Sequence, residues 1–225
     1  MKEKGTISTF DDFNRLIKDY DTNFTIYRGV SSVKHKLIPK VGRKDVYKFR
    51  DEYEPHEQKL FRLFRERALP LIGYNPTNDW EWLALAQHYG LATRLLDWTR
   101  NPLMALFFAV CDGKETDSAL YIRYKKDSYL RIEDHPDPFK YSGDIKKVIP
   151  PRFDKRIIVQ SGLFTIHPDP EQEYDDDYID KIIIHNANRD ELKGTLHKYG
   201  IHKESVYPDL EHLCEHLLWL STNSY

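Results

Sequence analysis

Two clusters of side chains in this chain have the types and spacing to do chemistry. Arg28 follows the aromatic and β-branched stretch Phe24-Thr25-Ile26-Tyr27 and precedes Gly29. A guanidinium held at the end of a strand can grip a phosphate through two parallel N–H bonds, and a neighbouring glycine leaves space for a ligand to approach the backbone. The second cluster runs from Gln87 to Thr99 and holds Gln87, His88, Tyr89, Thr93, Arg94, Asp97, Trp98 and Thr99 between two apolar segments. Polar groups placed there need partners. In one reading they wall a pocket, with Trp98 as a stacking platform. In the other they form a buried network: Arg28 ion-pairs with Asp97 or another acid, Arg94 pairs with Asp97, and His88 caps carbonyls at a helix end.

Two further patterns carry less. His212-Leu213-Cys214-Glu215-His216 has the His-x-x-Glu-His spacing of inverted zinc peptidases, with two imidazoles one helical turn apart. No third ligand can be named, and with ten histidines in the chain chance pairs are common, so no metal is expected. The sequence reads instead as a helix burying Leu210, Leu213, Leu217 and Leu218 and carrying two solvated histidines. Lys146, Lys147, Arg152, Lys155 and Arg156 form a local basic run that reads as a solvated face. Glycine-rich phosphate loops of the dinucleotide or P-loop kind and a Gly-x-Ser-x-Gly elbow are absent from the sequence.

The elements that must position these residues follow from periodicity. Phe10, Phe13, Leu16, Ile17 and Tyr20 recur at helical spacing within residues 8–20, behind Ser8 and Thr9 as caps. Residues 24–27 read as a strand that delivers Arg28. Residues 51–69 read as a surface helix. Asn78 and Glu81 have the spacing of a capping box before the apolar Trp82-Leu83-Ala84-Leu85-Ala86, with Gly90 to end that helix. Asn101 and Pro102 fit the N-cap and first position of the helix 103–110, which pins the polar segment between two buried helices. Strands are predicted at 118–124, 157–159, 164–166 and 181–184, and helices at 188–199 and 208–220. The acidic stretch 169–180 reads as a surface loop, and the Pro-, Asp- and Gly-rich residues 133–144 as an insertion. The predicted fold class is α+β, with short, mostly antiparallel strands flanked by helices in a single domain over residues 1–225.

Composition limits the partners. Hydrophobic residues at 40% are enough to build one sizeable core. The 34 basic and 36 acidic residues leave a net charge of -2, so there is no pull toward nucleic acid or an anionic membrane. No apolar run reaches the roughly 20 residues of a membrane span. The two cysteines, Cys111 and Cys214, build no disulfide framework. A cytoplasmic protein is expected.

Tyr27-Arg28-Gly29, Leu37-Ile38-Pro39, Gln87-His88-Tyr89-Gly90, the segment from Thr93 to Thr99 and Ala105-Leu106-Phe107-Phe108-Ala109 occur in an order that resembles the FRG-domain family. The segment from Arg156 to Phe164 and Tyr207-Pro208-Asp209-Leu210 extend the resemblance over most of residues 24–220. The order of elements is also similar to ADP-ribosyltransferases, which implies a split sheet and NAD as a substrate, with no tightly bound cofactor and with a macromolecule as a possible acceptor. By that analogy Arg28 binds the pyrophosphate or ribose, Thr99 orders the first site, and Trp98 or Tyr89 stacks on nicotinamide. The acid expected on a third strand is missing: only Asp154 or Gln160 stands there, with Asp97 or Glu81 as substitutes. Without an acid, the same architecture would serve as a ligand-binding or partner-binding sensor. The resemblance also implies a bacterial toxin or phage-defence setting. Arg28, residues 87–99 and Gln160 are expected to converge on one cleft.

Overall fold

The structure, a computed structural model, describes residues 1–21, 23–43, 56–112, 115–150 and 155–222. The chain begins with β1 (Lys2–Ile7), α1 (Phe10–Ile17) and β2 (Ile26–Val30). Next come α2 (His56–Ala68), α3 (Asp79–His88), β3 (Leu95–Thr99) and α4 (Pro102–Val110). They are followed by β4 (Ser118–Arg123), β5 (Lys146–Val148), α5 (Lys155–Val159), β6 (Gly162–Ile166) and β7 (Ile179–Ile184). The helices α6 (Arg189–Lys198), α7 (Lys203–Val206) and α8 (Leu210–Thr222) complete the order. The seven strands form one sheet in the order β1-β7-β4-β2-β3-β6-β5, in which only β1 and β7 run parallel. This is an α+β fold with a mixed, mostly antiparallel, open sheet.

The polar segment expected between two helices is itself a central strand. In β3, Leu95, Leu96, Trp98 and Thr99 are buried and Asp97 is exposed, and the strand pairs along its length with β6. The reverse holds for 157–159, expected as a strand: those residues lie in α5, where Ile157 is buried and Ile158 and Val159 face outward. Three apolar residues cannot distinguish a buried strand from a helical turn. Ser161, at φ 48°, then reverses the chain into β6. Besides β3, two further strands were not expected, β1 and β5. Lys147 of the basic run is buried in β5 with Nζ 3.0 Å from Asp127, so it does not lie on a solvated face. Arg152 and Asp154 fall outside the described residues, as do the first residues of the helix expected over 51–69.

The caps behave as their residue types require. Thr9 and Asp12 form a reciprocal box at α1. Asn78 accepts from the Glu81 N–H at 3.0 Å, and Asn101 from that of Leu103 at 3.0 Å, with Pro102 opening α4. Gly90, at φ 83°, ends the turn after α3.

Two helical groups cover one face of the sheet. α1, α4 and α6 pack on the half that contains Tyr27, Leu120, Ile122 and Ile182. α2 and α3 pack on the half that contains Leu95, Phe164 and Ile166. The opposite face, with Ile26, Leu96, Trp98 and Tyr121, is covered by loops. One of these is the acidic stretch: its Tyr174 is buried there and accepts a hydrogen bond from Arg123 at 2.8 Å, while Ile179 and Asp180 already belong to β7. The acidic residues needed an aromatic anchor to hold the stretch on the sheet, and Tyr174 supplies it.

Gly29 sets how closely α4 approaches the sheet. A Cβ at this position would run into the backbone carbonyl of Ala105 and come within 2.6 Å of the Ala109 nitrogen. The glycine therefore serves helix packing, not ligand approach. Gly29→Ala is expected to cost roughly 2 kcal/mol, within the usual range for overpacking, seen as a lower denaturation midpoint. A midpoint like that of the wild type would mean that α4 does not pack this tightly.

Candidate functional site

β2 and β3 share a single rung, Tyr27 opposite Thr99, whereas β2 pairs with β4 over five residues. Side chains alternate along a strand, so Arg28 leaves β2 on the loop-covered face with Ile26 and Val30, and Asp97 leaves β3 on the helical face with Leu95 and Thr99. The two meet in the gap. Arg28 Nη1 donates to the Asp97 carbonyl at 2.6 Å and lies 3.7 Å from Asp97 Oδ2. Burial holds the guanidinium below its usual pKa, and Asp97 offsets part of that shift. Arg28 Nε is buried and has no hydrogen-bond partner among the described residues. The arginine is thus only partly satisfied by the protein.

Asp97 is tied to α3. Its Oδ2 accepts from Gln87 Nε2 at 2.7 Å, Gln87 Oε1 accepts from Thr93 Oγ1 at 2.6 Å, and Thr93 Oγ1 accepts from Leu95 N at 3.1 Å. The Asp97 side chain is nevertheless 54% exposed. At the other end of β3, Thr99 donates to the Gln160 carbonyl at 2.6 Å and accepts from Asn101 N. This fixes the 160–161 turn to the strand.

The gap opens into a cleft of ≈ 520 Å³. Of the residues singled out in the sequence, Tyr27, Arg28, Gly29, Gln87, His88, Asp97, Trp98, Thr99 and Gln160 line it. Four do not. Thr93 is buried behind Gln87. Tyr89 is 61% exposed and packs edge-on against His88. Glu81 sits at the far end of α3, bound to the Tyr74 hydroxyl at 2.5 Å and the Thr77 N–H at 2.7 Å. Burial raises the Glu81 pKa, but these bonds outweigh it and hold the carboxyl below its usual value. Arg94 pairs with buried Glu57, Nη2 to Oε2 at 2.8 Å, and not with Asp97. Trp98 lines the cleft but is only 3% exposed, and its Nε1 donates to Thr165 Oγ1 at 3.0 Å. It is a wall, not a stacking platform.

The sequence reading missed the far wall: Lys203, Tyr207, His212 and Glu215 from α7, α8 and the turn between them. Tyr207 stacks on His212 at 4.3 Å, and His212 Nδ1 lies 2.7 Å from Asp209. Glu215 pairs with Lys203. The Tyr207-Pro208-Asp209-Leu210 match was the one signal that could have pointed there. The His-x-x-Glu-His motif is also divided by the fold: His212 faces the cleft, whereas His216 is buried on another side of α8. The leucine stripe expected to be buried is largely outside, with Leu210, Leu217 and Leu218 exposed and His216 and Trp219 turned toward the body of the protein.

Residues 23–118 match the FRG domain. The chain carries an FRG domain. No curated protein and no solved structure matches it. The FRG match covers β2, α2, α3, β3 and α4, and so both Arg28 and Asp97, and it ends at the first residue of β4. Gln160 and the wall from Lys203 to Glu215 lie beyond it. No helix among the described residues is long and apolar enough to cross a membrane.

Close to Arg28, the fold buries His167, whose Nε2 lies 2.9 Å from Thr165 Oγ1. Burial, with Arg28 and Arg123 nearby, lowers its pKa from 6.5 to about 3. The fold therefore holds this ring neutral while the unfolded chain takes up a proton, so stability is lost as the pH falls below 6.5 and until it nears 3. The loss is up to about 1.4 kcal/mol per pH unit. His167→Gln is expected to flatten the dependence of unfolding free energy on pH by up to one proton in this range, measured by denaturant titration. An unchanged slope would mean that the ring protonates normally in the fold.

Proposed function

We propose that the cleft binds a nucleotide of the NAD class and cleaves its nicotinamide–ribose bond. The observation that carries this reading is the pairing of a partly satisfied cation with an accessible carboxylate: Arg28 and Asp97 come from different strands and meet 3.7 Å apart in the cleft. A pyrophosphate would pair with the Arg28 guanidinium and draw the side chain outward, so that its buried, unpaired Nε can donate. Asp97, oriented by Gln87, would face the ribose and stabilise the oxocarbenium-like charge that develops as the bond breaks. The C1′–N bond then breaks with its electron pair leaving on nicotinamide, and water or an acceptor nucleophile adds to C1′ and releases a proton. The cleft volume of ≈ 520 Å³ lies within the usual range for ligand pockets. Tyr207 and Phe108 offer aromatic surface for a base.

This assignment differs from the ADP-ribosyltransferase pattern in where the acid comes from. β6 lies next to β3 but has the sequence Gly-Leu-Phe-Thr-Ile and brings no carboxylate. Gln160, whose Nε2 donates to the Val206 carbonyl at 3.3 Å, ties α7 to the cleft rim and acts as a positioning residue. Turnover in a cell would deplete NAD or modify a macromolecular acceptor, which fits a toxin or phage-defence role. One observation favours a sensor without turnover: the Asp97 carboxylate already has Gln87 and Arg28 as partners, which limits the charge it can offer a transition state.

Calorimetric titration of NAD into the full chain, with nicotinamide release followed by mass spectrometry, tests both. Arg28→Ala is expected to weaken binding at least about tenfold, in line with losing a charge-assisted contact. Asp97→Asn is expected to bind but release nicotinamide about a hundredfold more slowly. Binding without release in the wild type would leave the sensor reading. Folded protein that neither binds nor cleaves NAD would overturn both.

A further inference from the structure

Behind the far wall of the cleft, three histidines from three elements converge. α6 ends at Lys198, and Gly200 at φ 76° turns the chain back so that His202 stands just before α7. Leu196 and Val206 are buried on either side and hold this turn against the core. His216 of α8 comes down onto it, 4% exposed. The His202 and His216 rings stack with centroids 4.0 Å apart and planes 11° apart, and His197 lies 5.3 and 5.2 Å from them.

Stacked imidazoles gain little from one another unless something satisfies their ring nitrogens. His202 Nδ1 is buried and has no hydrogen-bond partner among the described residues. Leaving such a nitrogen unpaired is costly. Glu204 is nearby: one ligand atom each from His202, Glu204 and His216 all lie within 4.8 Å of one another. Two imidazoles and a carboxylate are the donor set of a borderline divalent ion, and Zn²⁺ at about 2.0–2.2 Å from each would draw these atoms to roughly 3.3 Å apart. The side chains can make up that difference, because Glu204 is exposed and His202 and His216 border a cavity of ≈ 260 Å³. The lysines facing it are already engaged, Lys203 with Glu215 and Lys193 with the Cys111 carbonyl at 3.5 Å.

We propose that His202, Glu204 and His216 form a binding site for Zn²⁺. The ion would staple α7 to α8. Lys203 lies between two ligands and Glu215 beside the third, and both line the cleft, so a bound ion would also fix one wall of the nucleotide site. The ligands are separate from Arg28 and Asp97, and the site stands or falls independently of NAD binding.

The test is titration of Zn²⁺ against a chromophoric chelator into tag-free, chelator-treated full chain, with Co²⁺ absorption as a report on geometry. One ion per chain is expected, with the visible spectrum of tetrahedral Co²⁺ and a raised thermal midpoint. Glu204 is exposed, so Glu204→Gln leaves folding intact and is expected to weaken binding at least about tenfold, and His202→Ala more. His212→Ala, which removes the other histidine of the His-x-x-Glu-His motif, is expected to bind Zn²⁺ like the wild type. Absence of stoichiometric binding would overturn the proposal. So would binding that is lost in His212→Ala and kept in His202→Ala and Glu204→Gln.

Discussion

A central strand pair that shares one rung would normally be a weakness, because each backbone group beyond the rung gives up its ladder partner in a place where water is scarce. Here the Arg28 guanidinium takes over that role, donating to the Asp97 carbonyl from across the gap. The substitution of a side chain for a ladder bond is what permits an opening in the middle of the sheet. It also places a largely buried cation there, and the cost of burying it shows in the lowered pKa. Everything else in the cleft follows from these two facts: Asp97 must stay near enough to offset the charge, and Gln87 and Thr93 must hold Asp97 in position.

The opening persists because the helices on either side are fixed independently. α4 is locked onto β2 through Gly29, and α3 is locked over β3 and β6 through Trp82, Leu83 and Leu85. Neither helix can slide over the gap without losing one of these contacts. The loop-covered face is held in turn by ion pairs that are largely buried, Arg123 with Asp127 and Lys147 with the same carboxylate. These pairs contribute definition more than stability, since desolvation offsets most of their attraction.

How much of this was legible in the sequence differs by element. α3 and α4 could be read almost to the residue because Asn78, Gly90, Asn101 and Pro102 mark their ends chemically. β3 was concealed because Asp97 and Thr99 are polar for reasons of site and network, so the alternation of a half-buried strand did not stand out. α5 was misread because three β-branched residues in a row read as a strand, and so short a run fits a helical turn equally well. Lys147, His216 and Tyr174 went unrecognised as core because residue type assigns lysine, histidine and an acidic neighbourhood to the surface, and only tertiary partners reverse that. The convergence of Arg28, Asp97 and Gln160 was legible. The wall from Lys203 to Glu215 was not, since nothing local indicates that the last helices fold back across the sheet.

The Tyr27-Arg28-Gly29 triplet shows why a short motif need not report a single role. Strand alternation sends its members to opposite faces. Tyr27 faces the helices, is buried with α4, and sits at the rung that still joins β2 to β3. Gly29 faces the same helices and is bare so that α4 can come close. Arg28 faces the other way and reaches the gap that the first two make possible. Two of the three residues are therefore explained by packing, and only the arginine has donors left for a ligand. The proposed chemistry accordingly rests on Arg28 and on the carboxylate that a different strand brings to it, while the rest of the motif acts to keep the gap between them open.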